Sequence, residues 1–144
     1  MHPSPQIPAY PGSTTLLNQV QGHADTAISN LEQAKQMVPP QSQTHQLITS
    51  GQQHLDQLHN TVEMAKGAPT PVAQAALVKS QVTASKVKGA LSKAYNAIQS
   101  GEATQKLQNF THQTSKFIES AQKGVTQIQQ ILSKATNAVS KVKY

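Results

Sequence analysis

Residues 107–142 read LQNFTHQTSKFIESAQKGVTQIQQILSKATNAVSKV. Within them Leu107, Phe110, Thr114, Phe117, Ala121, Gly124, Ile128, Ile131, Ala135, Ala138 and Val142 succeed one another by alternating steps of three and four. Residues so spaced share one side of an α-helix, because 3.6 residues complete a turn. A second row at strict sevens, Ile118, Val125, Leu132 and Val139, runs beside the first. Together the rows predict one wide apolar stripe on a helix over about 102–143, roughly 60 Å long at about 1.5 Å per residue.

The same periodicity extends upstream. Leu77, Ser80, Ala84, Val87, Leu91, Ala94 and Ile98 predict a helix over about 71–99. Ile98 and Leu107 are nine residues apart, and the positions that would continue the heptad hold Gln105 and Gln108, so Gly101 reads as a break and a tight helical hairpin. Before it, Gly67-Ala68-Pro69-Thr70-Pro71 has the form of a C-terminal glycine, a short turn, and a Thr N-cap followed by proline in the first helical turn. Ile48, Gly51, Leu55, Leu58, Val62 and Ala65 mark a helix over about 42–66. Leu17, Val20, Ala24, Ala27, Leu31, Ala34 and Val38 mark another over about 13–38, with Ser13 as N-cap and Pro39-Pro40 as the stop. Residues 1–12 hold four prolines and predict a flexible arm ahead of a single domain at 13–144.

Four amphipathic helices joined by short connections predict an all-α, antiparallel up-down four-helix bundle with a long C-terminal helix. The lengths do not match. Paired against the third helix from a turn at Gly101, the fourth is covered only to about residue 130. Ile131, Leu132, Ala138, Val139 and Val142 are then expected to overhang the bundle as an interaction surface. Their cover is, in order of preference, the N-terminal arm, a second copy in a dimer, or a lipid or partner surface.

Composition limits the chemistry. Gln, Ser, Thr and Asn fill 53 of 144 positions and charged residues only 12%. All twelve basic residues are lysine, so the planar fork that reads guanine edges or clamps phosphate is absent. Residues 1–72 carry two lysines against four acids, whereas residues 73–144 carry ten against two. Lys79, Lys86 and Lys93 form a basic stripe at intervals of seven, suited at most to non-specific phosphate contact. The absence of cysteine removes disulfides, thiolate metal sites and thiol nucleophiles. LSKAYNAI at 91–98 and LSKATNAV at 132–139 agree at six of eight positions, too little in so restricted a composition to define a repeat architecture.

Six histidines raise the question of a metal. Asp56, His59 and Glu63 share a helical side, with His45 and His54 nearby, but a carboxylate-bridged site needs a matching motif on a second helix. No such motif exists, and neither do a nucleophile elbow, a phosphate loop or a dinucleotide fingerprint. No metal, cofactor or enzymatic activity is expected.

The expected function is therefore that of a non-enzymatic scaffold acting by protein–protein contact or self-association through the C-terminal helix. The alternative is an amphipathic protein that binds lipid or another apolar surface. In its long apolar stripe, lysine flanks and low overall charge, the chain resembles phasins and exchangeable apolipoproteins, a likeness of style that implies helices able to cover apolar surfaces. Met1-His2-Pro3-Ser4-Pro5 lacks the basic start and apolar run of a secretory signal, and no transmembrane run is present, so a cytoplasmic location is expected.

Overall fold

The computed structural model describes the backbone of residues 11–99 and 108–140 and the side chains of 14–99 and 112–138. Four helices account for nearly all of it: α1 (Pro11–Gln36), α2 (Gln43–Ala65), α3 (Thr70–Gln99) and α4 (Gln108–Ser140). Each packs against its sequence neighbours, and α4 closes the ring on α1. Cross-helix pairs show that α1 and α2, and likewise α3 and α4, run antiparallel. Gln21 meets Glu63 and Gln52 meets Glu32 between α1 and α2, while Gln81 meets Thr136 and Gln99 meets Ser115 between α3 and α4. The protein is an antiparallel up-down four-helix bundle.

The core follows the heptads closely in three helices. Leu17, Val20, Ala24, Ala27, Leu31, Ala34 and Val38 of the first heptad row are all buried, as are Ile48, Gly51, Leu55, Leu58, Val62 and Ala65 of the second. Leu77 through Ile98 on α3 behave alike, including Ser80, whose Oγ donates to the Ala76 carbonyl one turn back at 2.9 Å. That bond allows a hydroxyl to occupy the core without an unsatisfied donor.

The ends need small corrections. Ser13 is not an N-cap, because α1 begins at Pro11. Proline in the first helical turn forfeits no helical bond, so Pro11 initiates the helix that its three predecessors were expected to exclude. The helix ends at Gln36, and Val38 N–H turns back to the Lys35 carbonyl before Pro39. Ser42 caps α2, its Oγ accepting from the His45 N–H at 3.1 Å. Thr70 is already inside α3 instead of capping it, since the Pro69 carbonyl accepts the first helical bond from Ala73 N–H at 2.9 Å. Between α2 and α3, Lys66 at φ −67° and ψ 126° and Gly67 at φ 72° sit under an Ala68 N–H to Ala65 carbonyl bond. These are the features of a type II turn, which places its third residue at positive φ. Nothing lies within 4 Å of where a Gly67 side chain would start. The penalty of Gly67→Ala is therefore purely conformational, and we expect a loss of about 1–2 kcal/mol in urea denaturation.

The fourth helix departs from expectation in two respects. Its buried face holds Thr114, Ala121, Ile128 and Ala135 together with Ile118, Val125 and Leu132, the last three all 0% exposed. Phe117, Gly124, Ile131 and Ala138 lie to one side and are only half-buried. That flank faces α1: a side chain begun at Gly124 would meet the His23 carbonyl oxygen at 3.7 Å and the Ala27 Cβ at 3.8 Å. At Leu132 the expected overhang is absent. Tyr95 lies opposite Glu119 and Gln81 opposite Thr136, so α3 continues from Gln81 back to Thr70 alongside the end of α4. The register is displaced from the one a turn at Gly101 implied, and it covers Leu132 within the bundle. Gly101 and the rest of 100–107 lie outside the described residues, as do the N-terminal arm at 1–10 and the side chains of Val139 and Val142.

Candidate interaction surface

The seam between α1 and α2 gathers most of the acids. Gln21, 7% exposed, donates from Nε2 to Glu63 Oε1 at 2.8 Å and to the His59 carbonyl at 3.2 Å. Gln52 donates to Glu32 Oε1 at 3.1 Å and to the Ile28 carbonyl at 3.2 Å. His59 Nδ1 lies 2.8 Å from Asp25 Oδ1, and Lys35 and Lys66 reach Glu32 and Glu63 from one turn away. The Asp56-His59-Glu63 side therefore does not converge. His59 turns to Asp25 and Glu63 to Gln21 and Lys66, and no group of three metal-ligating side chains forms among the described residues.

Hydrogen bonds from Gln52 and then Lys35 hold the Glu32 carboxyl below the usual glutamate value, and bonds from Gln21 and then Lys66 do the same for Glu63. A carboxyl lowered by folding contributes stability that is present above its unfolded value, near pH 4.5, and lost as pH falls through the lower folded value. Stability should thus decline as the protein is acidified below about pH 4.5. Glu63→Gln should flatten that decline, and unfolding curves between neutral and acidic pH provide the check. Between α3 and α4, Tyr95 Oη donates to Glu119 at 3.3 Å; the carboxylate's charge, then burial, raise the phenol above its usual value.

The other half of the bundle is basic. Lys79, Lys86, Lys88 and Lys93 on α3 and Lys116, Lys123 and Lys134 on α4 are exposed, against Glu119 as the one described acid on these helices. The three ion pairs among the described residues all lie on α1, α2 and Lys66 just after α2. Because α3 and α4 are adjacent, the charge imbalance of the sequence becomes a division between two sides of the folded molecule.

Apolar exposure is localised too. The large apolar side chains left exposed among those described are Met64 at 67%, Val72 at 49%, Val78 at 51% and Val82 at 52%. All four fall within nineteen residues of chain, from the last turn of α2 through the first half of α3. Val78 and Val82 are one turn apart on the side of α3 opposite its buried row, with exposed Pro71 and Ala75 beside them. Lys79, Lys86 and Lys93 run along one edge of that side. The three predicted lysines are thus brought to an apolar strip that the sequence reading missed. The signal was present in Val72, Val78 and Val82, which stand off the heptad, but in a helix this rich in apolar residues it was masked by the core row.

The predicted interaction residues fare differently. Leu132 is inside the core, Ile131 packs half-buried against it, and Ala138 is half-buried. The depression on the outer side of α4, lined by Glu119, Gln122, Lys123, Thr126, Gln127 and Gln130, belongs to one helix and is polar. No described helix is long and apolar enough to cross a membrane. Comparison with protein-family models, curated proteins and solved structures gives no match.

Proposed function

We propose that this protein is a non-enzymatic helical-bundle interaction module whose contact surface is the α2–α3 hairpin, with its outer valines and lysine edge. One observation carries the reading: the large apolar groups left outside the described core are concentrated at Met64, Val72, Val78 and Val82, beside Lys79, Lys86 and Lys93. Val78 and Val82, one turn apart on the outer side of α3 and bordered by the lysine edge, have the form of a docking surface. The α4 stripe supports this role less, because Leu132 lies in the core and Ile131 and Ala138 are half-buried.

A photo-crosslinking residue at Val82, compared with one at Gln127 on the outer side of α4, tests the assignment in the cells that make the protein. The expected result is an adduct at Val82 that Val78→Glu suppresses, with little labelling at Gln127. Equal labelling at both positions, insensitive to Val78→Glu, overturns it. Val78→Glu is on the surface and should leave the melting temperature nearly unchanged.

A further inference from the structure

The hairpin surface has a shape and charge that select its partner. We infer that it docks on an anionic phospholipid bilayer, with the α2–α3 turn and the outer side of α3 against the membrane and the bundle closed; this inference rests on the interaction reading above. Charge complementarity is the first argument. Lys79, Lys86 and Lys93 border the apolar strip, and the α3–α4 half carries seven exposed lysines whose ammonium groups have no carboxylate partner among the described residues. Each lysine brought near an anionic bilayer strengthens binding by roughly fivefold at physiological salt.

Shape is the second. The strip is the convex outer side of one helix, and the groove beside it, between Gln57, Asn60, Thr61, Lys79 and Thr83, is polar and about 310 Å³. The convex strip offers no socket for a partner's side chain, and the polar lining of the groove suits no apolar anchor. Nor does the strip present the tryptophan, tyrosine or arginine anchors that dominate protein–protein affinity. A fluid interface needs no socket; it deforms around Met64, Val72, Val78 and Val82 while phosphates and carboxylates of the headgroups meet the ammonium groups. A second copy of the chain docked face to face would instead set three lysines against three.

Co-flotation with phosphatidylserine–phosphatidylcholine vesicles, with phosphatidylcholine vesicles as the comparison, tests the inference. A single dye-labelled cysteine at Val82 reports the contact, since the chain has no cysteine of its own. The expected result is binding to the anionic vesicles alone, a blue shift at position 82, unchanged helical content, and release by added salt. The triple variant Lys79→Gln, Lys86→Gln, Lys93→Gln should bind roughly a hundredfold more weakly. Val72→Glu with Val78→Glu, made in the protein labelled at position 82, should abolish the blue shift, and the α4 triple variant Lys116→Gln, Lys123→Gln, Lys134→Gln should have the smaller effect. A larger effect of the α4 triple variant overturns the assigned face. Absence of vesicle binding alongside a protein adduct at Val82 overturns the lipid and leaves the interaction module standing. Absence of both overturns the two together.

Discussion

Leu132→Asp is expected to abolish cooperative folding of the isolated chain. Leu132 is 0% exposed, in a layer of α4 between buried Ile128 and Ala135. The substitution removes an apolar side chain whose burial is worth about 1.5–3 kcal/mol. It also places a carboxyl where nothing solvates it, adding several kcal/mol whether the group ionises or is forced to hold its proton. Against a typical total stability of about 5–15 kcal/mol, the sum unfolds a bundle whose core relies heavily on alanine, valine and leucine. Circular dichroism should show lost helix and no melting transition. An overhanging Leu132 would give the opposite pattern, in which the melting curve survives and only the oligomeric state changes. That pattern would refute the α3–α4 register described above.

The second large effect lies at the centre of the bundle. A side chain begun at Gly51 on α2 would meet Leu91 Cδ2 at 3.1 Å and Leu31 Cδ1 at 3.6 Å. Leu91 and Leu31 are both 0% exposed, so Leu91 reaches across the bundle into the space the glycine leaves. Leu91→Ala should lose about 2–5 kcal/mol, part from transfer and part from the cavity. Gly51→Val should also destabilise, by about 1–3 kcal/mol, because a first contact at 3.1 Å leaves no room for further carbons unless Leu91 moves. The two changes remove and add equal numbers of carbon atoms at one place. The double variant should therefore be more stable than the sum of the single losses, by at least about 1 kcal/mol in a double-mutant cycle. Additive losses would mean that Leu91 does not occupy the space beside Gly51.

Much of this was legible one helix at a time. The core positions of α1, α2 and α3 could be read residue by residue because each helix carries a single dominant heptad row, and a single row leaves only one way to face a core. Pro39-Pro40 and Gly67 marked the ends of helices through constraints that belong to those residues alone. The fourth helix was ambiguous for a definable reason. Thr114, Ala121, Ile128 and Ala135 are flanked on one side by Phe117, Gly124 and Ile131 and on the other by Ile118, Val125 and Leu132. Either flank makes a continuous stripe, so the spacing joins both into one wide face, of which the bundle buries the Ile118 flank fully and the Phe117 flank only by half.

Composition and spacing by themselves determined that the chain is four amphipathic helices, where two of the connections fall, and that its charge is unevenly divided. These follow from backbone geometry and the chemistry of residues within a few positions of one another. Tertiary structure alone decided which flank of α4 enters the core, how far α3 runs beside it, and which apolar residues are left without a partner. Those outcomes depend on packing between segments far apart in the chain. Gly124 can lie against α1 only because Ala27 and the His23 carbonyl are there to receive it. Val78 and Val82 stay exposed because α2 and α4 have already filled the other sides of α3.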